Sequence, residues 1–204
     1  GTAGLVLVPG YSGTGKTALV NEIHKPVTRD NGYFIDGKFE QLQKNIPYFA
    51  FTEAINRLCD LILTENQSAL DRWKKTVQEA VGELGKALTD IMPNLRNVIG
   101  EQPDIPQLGG TEAKNRFNYI FLRFMQAVAT REHPLVMFID DLQWADTASL
   151  ELFKLLMTEM SGRCFLFIGA YRDNEVSPGH MLSVIIEELR KRNSPISTLP
   201  VRNL

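Results

Sequence analysis

The sequence predicts an α/β three-layer sandwich on a mainly parallel sheet. Three observations predict it. Short uninterrupted apolar runs occur at Leu5–Val8, Leu135–Ile139 and Cys164–Ile168, with the length and β-branched content of strands covered on both faces. Segments of helical periodicity separate them, as connections between parallel strands require. The first run leads through a glycine-rich loop directly into a helix. The chain has 204 residues, 44% hydrophobic and 23% charged, with 11 Phe among them. That is enough for one domain with room for a small lobe, and it argues against a disordered or collagen-like chain.

Taken in order, Leu5–Val8 is stopped by Pro9 and Gly10, and Gly10–Gly15 is a loop. A helix from Thr17 to His24 turns Leu19, Val20 and Ile23 to one side, and Pro26 ends it. Tyr33–Ile35 is a short strand followed by Gly37-Lys38-Phe39. Phe51, Ile55, Leu58, Leu61 and Ile62 give helical spacing from Phe49 to Leu63. Ser68 is the expected cap of the next helix, which carries Leu70, Trp73, Val77 and Val81. Leu84, Leu88 and Ile91 continue the rhythm, so about 65–108 reads as a helical insert closing in a Pro93, Pro103 and Pro106 loop. Thr111 would cap a long helix to Arg131, whose Phe117, Ile120, Phe121, Phe124, Met125 and Val128 form a core stripe. Leu135–Ile139 delivers Asp140-Asp141, and a helix runs from Thr147 through Met160, with Glu151 near its first turn. Cys164–Ile168 breaks at Gly169. A helix from about Pro178 to Lys191 and a final short strand, Ile196–Leu199, complete the chain.

The net charge of −2 and the scattered basic residues, densest at Glu187–Arg192, do not predict a nucleic-acid surface. Cys59 and Cys164, far apart in apolar stretches, read as buried thiols of a reducing compartment. No apolar run approaches about 18 residues, so no membrane insertion is expected. The apolar start lacks the basic leader of a signal peptide. The absent initiator Met is expected of a piece of a longer protein. His24, His133 and His180 lack metal-ligand spacing and are expected in surface or capping roles.

Gly10-Tyr11-Ser12-Gly13-Thr14-Gly15-Lys16-Thr17 satisfies G-x-x-x-x-G-K-[ST] completely, between an apolar strand and a helix. Glycines let the backbone curl so that successive amides face a phosphate chain, and the helix N-terminus adds to the anion site. The candidate nucleotide-contacting residues are Gly10, Ser12, Gly13, Thr14, Gly15, Lys16, Thr17 and Ala18. Lys16 would reach the β- and γ-phosphates, and the Thr17 hydroxyl would hold Mg²⁺. The Gly-Lys-Thr ending fits a nucleoside triphosphate better than a dinucleotide.

The second acidic strand supplies carboxylates where open α/β sheets bind ligands. Asp140 is the candidate magnesium acid and Asp141 the candidate catalytic acid that polarises water. Gln143 is a candidate water-orienting residue, Trp144 a packing residue, and Asp146 the cap of the helix at Thr147. Arg172, at the end of the third strong strand, is either a sensor of the γ-phosphate or a salt-bridge partner of Asp173 or Glu175. Lys38 is a weaker candidate.

These residues carry a family resemblance. The loop, Leu135–Asp146 and Gly169–Val176 resemble the STAND branch of AAA-like P-loop NTPases, as found in large bacterial multi-sensor kinases that join a serine/threonine kinase-like domain to GAF and PAS sensors and a histidine kinase. Gly32–Phe39, Asn45–Tyr48, Gln102-Pro103 and Asn115–Phe117 extend the match over nearly the whole chain. The resemblance implies a cytoplasmic, ATP-binding and slowly hydrolysing nucleotide switch, with ATP/ADP and Mg²⁺ as ligands and Arg172 as sensor. Its partners would be kinase and sensor domains of the same polypeptide, and a homo-oligomer in the full protein. The implied sheet is five-stranded, of order 5-1-4-3-2, with the phosphate-loop strand between the acidic strand and an outer one. Flanking segments that enclose the adenine and close the switch would lie outside residues 1–204. Two rivals remain at this level. One is a non-hydrolysing scaffold that docks partners through the helical insert. The other is a small-molecule or nucleotide kinase, which would need a lid rich in arginine that the sequence lacks.

Overall fold

The computed structural model describes residues 3–29, 31–192 and 195–202. Its five strands form one sheet: β1 (Gly4–Pro9), β2 (Tyr33–Lys38), β3 (Leu135–Asp140), β4 (Phe165–Tyr171) and β5 (Ile196–Thr198). The order is β2-β3-β4-β1-β5, the expected order in reverse, and every pairing is parallel. One detail of the expectation fails. β4, not β3, adjoins β1 (Leu7 opposite Gly169), so the phosphate-loop strand lies between β4 and the outer β5.

Alternation along the strands sorts their residues to two faces. Leu5, Leu7, Ile35, Met137, Ile139 and Phe167 point into the larger core, with side chains from α3 (Phe49–Leu63), α7 (Gly110–Val128), α8 (Thr147–Glu159) and α9 (Met181–Lys191). Val8, Phe34, Val136, Phe138, Ile168 and Ala170 meet Val20 of α1 (Lys16–Asn21), Val27 of α2 (His24–Arg29) and Ile23 of the turn between them. The result is three layers. Phe51, Phe121, Phe153 and Phe167 are fully buried in the larger core, each such burial contributing about 1.5–3 kcal/mol. The insert between α3 and α7 consists of α4 (Gln67–Val81), α5 (Lys86–Thr89) and α6 (Arg96–Ile99), joined by 3-10 turns. Trp73, Val77, Leu88 and Ile99 tie it to the same core.

Several boundaries differ from the sequence reading, each for a local reason. Pro26 does not end the first helix. The break falls at Glu22–Ile23, and Pro26 sits in the first turn of α2, where its missing N–H has no helical partner to lose. β2 runs on to Lys38, paired with β3 throughout. Asn66, not Ser68, caps α4, its Oδ1 accepting from the Ala69 N–H at 3.0 Å; Ser68 accepts from Arg72 instead. α7 begins at Gly110 with no side-chain cap from Thr111, and it ends at Val128. β4 continues through Gly169, where a Cβ would lie 2.4 Å from Leu142 Cδ1, so the glycine admits Leu142 beneath the sheet end. α9 starts at Met181, capped by His180 rather than opened at Pro178. Gly37 allows α3 to cross β2 closely, since a Cβ there would be 1.9 Å from the Ala50 carbonyl oxygen. Cys59 is buried and its thiol is pushed up to about 12 by burial, reinforced by Asp60; Cys164 is half-buried and also free. Among the described residues, no helix is long and apolar enough to cross a membrane.

Candidate functional site

The C-terminal ends of β1, β3 and β4 converge on a cleft of about 290 Å³ lined by Ser12, Gly13, Gly15, Lys16, Thr17, Lys38, Asp140, Asp141 and Arg172. Parallel pairing assembles it. Lys38 lies opposite Asp140 in the β2–β3 ladder, and the Gly10 N–H donates to the Tyr171 carbonyl at 3.2 Å. Larger grooves of about 500 Å³ between α7 and α8, and of about 650 Å³ beside β2, do not reach the glycine-rich loop.

Gly13 and Gly15 take φ of +78° and +86°, backbone that L side chains rarely adopt, and Gly15 begins α1. A Cβ on either would meet nothing within 4 Å. At these two positions the loop is open, and it is backbone conformation rather than crowding that calls for glycine. Gly10 needs to be glycine for another reason: a Cβ would lie 2.4 Å from the Val201 carbonyl oxygen, because the chain after β5 runs beside the loop with Val201 N–H bonded to Pro9 at 2.9 Å. Thr14 Oγ1 donates to the Tyr11 carbonyl at 2.9 Å, closing the loop on itself. Gly10, Thr14 and Ala18 are not among the residues lining the cleft, and Ala18 is exposed.

Lys16 is buried, and its Nζ donates to the carbonyls of Gly10 at 2.8 Å and Tyr11 at 2.7 Å. Thr17 Oγ1 donates to Asp140 Oδ2 at 2.8 Å. The hydroxyl and carboxylate called magnesium ligands from sequence, 123 positions apart, thus touch. Asp140 Oδ1 accepts the Asp141 N–H at 2.8 Å, and Asp141 turns into the left-handed region at φ +54°. That turn aims two adjacent carboxylates at different partners. Asp141 Oδ2 is 3.3 Å from Lys38 Nζ, and Oδ1 is 3.5 Å from Arg172 Nε.

Sequence reasoning singled out Gln143 as a water-orienting residue but not its burial or its partners beside these acids. Gln143 does not face open water. Its Nε2 donates to Asp141 Oδ1 at 2.8 Å and its Oε1 accepts from the Arg172 N–H at 3.1 Å, so both polar atoms are engaged within the protein. Arg172 lines the cleft and also makes the alternative contact read from sequence, to Glu175 at 2.8 Å and not to Asp173. Its guanidinium lies 4.6 Å from the Trp144 ring, whose Nε1 donates to Glu175 at 3.0 Å. Trp144 is thus a half-exposed docking surface for Arg172 and not simply a core residue. Asp146 caps α8 as expected, its Oδ1 accepting from the Ser149 N–H at 2.9 Å. Its other oxygen, with Ser149 Oγ, holds the Tyr48 N–H. Tyr48 has φ +63°, uncommon for an aromatic residue, so these bonds and its tilted contact with Phe117 at 4.2 Å hold a strained corner. Burial, reinforced by Asp146 and Glu151, pushes the Tyr48 hydroxyl up to about 12.

The donor set suits a hard cation held sparingly. Among the described residues no cluster of three or more His, Cys, Asp or Glu could hold a metal alone. One carboxylate and one hydroxyl beside the glycine-rich loop is the sparse protein contribution that Mg²⁺ accepts when other oxygens and waters complete its shell.

A model of the AAA ATPase domain family matches residues 1–168. A protein described as hybrid signal transduction histidine kinase G, from Dictyostelium discoideum, is 37% identical over 152 residues, which is 74% of this chain. The chain spans 4% of that relative's length. The five-stranded parallel sheet, the complete phosphate loop on β1 and the family match over most of its length identify the chain as a member of the AAA ATPase domain family.

Proposed function

We propose that this domain binds ATP with Mg²⁺, hydrolyses it slowly, and serves as a nucleotide switch in a longer signalling polypeptide. The observation that carries the reading is the 2.8 Å contact between Thr17 of the phosphate loop and Asp140 of the acidic strand, next to a buried Lys16. Two segments far apart in sequence meet where a triphosphate's charge must be neutralised.

In this reading the amides of residues 12–17 cradle the phosphates, and Lys16 exchanges its two carbonyl partners for phosphate oxygens. Thr17 and Asp140 would hold Mg²⁺, which when bound supplies positive charge to the phosphate oxygens. Asp141 accepts the proton of the water that attacks the γ-phosphorus as the bond to the bridging oxygen breaks. Arg172 and Lys38 stabilise the charge on the transferring group. In the structure both of these cations contact Asp141, so they must change partners to act.

The kinship with a hybrid histidine kinase supports a place beside kinase and sensor domains of one polypeptide. A cytoplasmic location, assembly with further copies and the bacterial multi-sensor setting belong to the same proposal. Titration calorimetry with Mg-ATP and Mg-ADP, followed by phosphate release, tests it. The expected result is saturable binding with a preference between the two nucleotides and slow turnover. A folded protein that binds neither would refute the reading for this domain.

A further inference from the structure

We propose that Gln143 is a positioning residue that couples the phosphate end of the cleft to the N-terminus of α9 through His180. This rests on the ATP reading above. Gln143 is 5% exposed, and its side chain joins Asp141 Oδ1 (2.8 Å) to the Arg172 N–H (3.1 Å). Its main-chain oxygen lies 3.2 Å from His180 Nε2. His180 Nδ1 accepts from the Leu182 N–H at 3.1 Å in the first turn of α9. A ring nitrogen that accepts carries no proton, so in the neutral imidazole Nε2 carries it and donates to Gln143. One residue therefore joins the ends of β3 and β4 to the start of a helix outside the cleft.

The cleft gives this link something to transmit. Lys38 and Arg172 both contact the Asp141 carboxylate, and Glu175 and Trp144 draw Arg172 outward. A triphosphate attracts both cations. As they turn to it, Gln143 is left as the neutral partner of a buried carboxylate, and that bond is costly to break. Asp141 and Gln143 then move together, and the Gln143 carbonyl carries the movement to His180. The far part of α9 is fixed by Ile185, Ile186 and Leu189 in the core and by the Lys154–Glu188 ion pair, while in its first turn only the Leu182 side chain is buried. Its first turn, where Met181 and Val184 are exposed, is the end that responds.

Amide hydrogen exchange at Leu182 and Val184 tests the link, measured without nucleotide and with Mg²⁺ plus a non-hydrolysable ATP analogue at saturation. Affinity is measured in parallel by calorimetry. In the wild type the analogue is expected to change exchange at these amides by on the order of fivefold or more. His180→Asn keeps a side-chain cap for α9 but is too short to reach Gln143. It should bind the analogue as tightly and lose the change at α9. Gln143→Met keeps volume without the hydrogen bonds, and should lose the change and lower turnover roughly tenfold, the value of one hydrogen bond to a charged group. If Gln143→Met fails to fold, His180→Asn decides alone. Persistence of the change in His180→Asn, or nucleotide binding by the wild type with no change at α9, overturns the coupling. Failure of the wild type to bind the analogue overturns the ATP reading itself, and the affinity measurement separates the two failures.

Discussion

Lys16→Ala is the most direct test of whether the loop works as a phosphate site. Lys16 is 7% exposed, with hydrogen bonds of 2.8 and 2.7 Å to two carbonyls of its own loop. In the folded protein alone, alanine leaves the buried Gly10 carbonyl unpartnered, while water can reach the exposed Tyr11. One such loss costs about 1–2 kcal/mol. For a chain of this size that lowers the melting temperature by roughly 3–8 °C, which leaves the protein folded at room temperature. Binding suffers more. Two charge-assisted bonds to phosphate contribute about 1.5 kcal/mol or more each, so triphosphate affinity should fall roughly 100- to 1000-fold. Thermal unfolding and Mg-ATP calorimetry on the same preparation separate the two effects. Equal affinity of the wild type and a cooperatively folded Lys16→Ala would refute the assignment, whatever the sequence pattern.

Three other outcomes follow from the same geometry. Asp141→Asn removes the charge that holds Lys38 and Arg172 while keeping the side chain's shape; ATP should bind at least as tightly, with turnover reduced roughly 10²- to 10⁴-fold in a phosphate-release assay. Gly37→Ala would place a Cβ 1.9 Å from the Ala50 carbonyl oxygen, so α3 must shift off β2; denaturant unfolding should show a loss of about 2 kcal/mol or more. Tyr33, raised by burial and by Glu65, and Tyr48, raised by burial and by Asp146 and Glu151, are both pushed up to about 12. An unfolded tyrosine ionises near about 10, so above that pH the unfolded chain sheds protons that the folded chain keeps. The tyrosines' contribution to stability is then intact below pH 10 and falls as pH rises toward about 12, by on the order of 1 kcal/mol per tyrosine after solvent screening. Denaturant melts across that range should show the fall, and a Tyr33→Phe, Tyr48→Phe double variant should lessen it, leaving the share of the Cys59 thiol that burial also raises.

What was legible in the sequence was whatever a short window dictates. The buried strands announced themselves as apolar runs because both faces are covered, and the loop by glycines whose φ only glycine adopts readily. Thr17 and Asp140 were assigned to one ion from chemistry alone, and they meet at 2.8 Å. What stayed hidden depended on register and on long-range contact. Lys38 counts because the β2–β3 ladder sets it opposite Asp140, which no local pattern encodes. Gln143 read as a water-orienting residue because its type permits that role; only the approach of β4 shows both of its polar atoms engaged. Boundaries slipped where several residues were chemically able to cap, as with Asn66 over Ser68, and where a proline suggested an opening that a later side chain provides, as with His180 after Pro178. Gly169 was read as a strand breaker, although here it serves the close approach of Leu142.

The charges of the cleft bear on how such a site would tell ATP from ADP. Lys16, Lys38 and Arg172 face Asp140 and Asp141, three positive groups against two negative. Lys16 is held by loop carbonyls and not by an acid, so any nucleotide with a β-phosphate can recruit it without breaking an ion pair. Lys38 and Arg172 both contact Asp141. Only a γ-phosphate reaching the strand ends competes with that carboxylate for them. On the proposed ATP reading, the Asp141 pairs would oppose ATP more than ADP and keep the cations from turning inward until a third phosphate arrives. Neutralising Asp141 should raise the ATP-to-ADP affinity ratio even as it removes the group proposed to accept water's proton. Binding preference and turnover would then move in opposite directions in one variant, a pattern that general unfolding of the site would not produce.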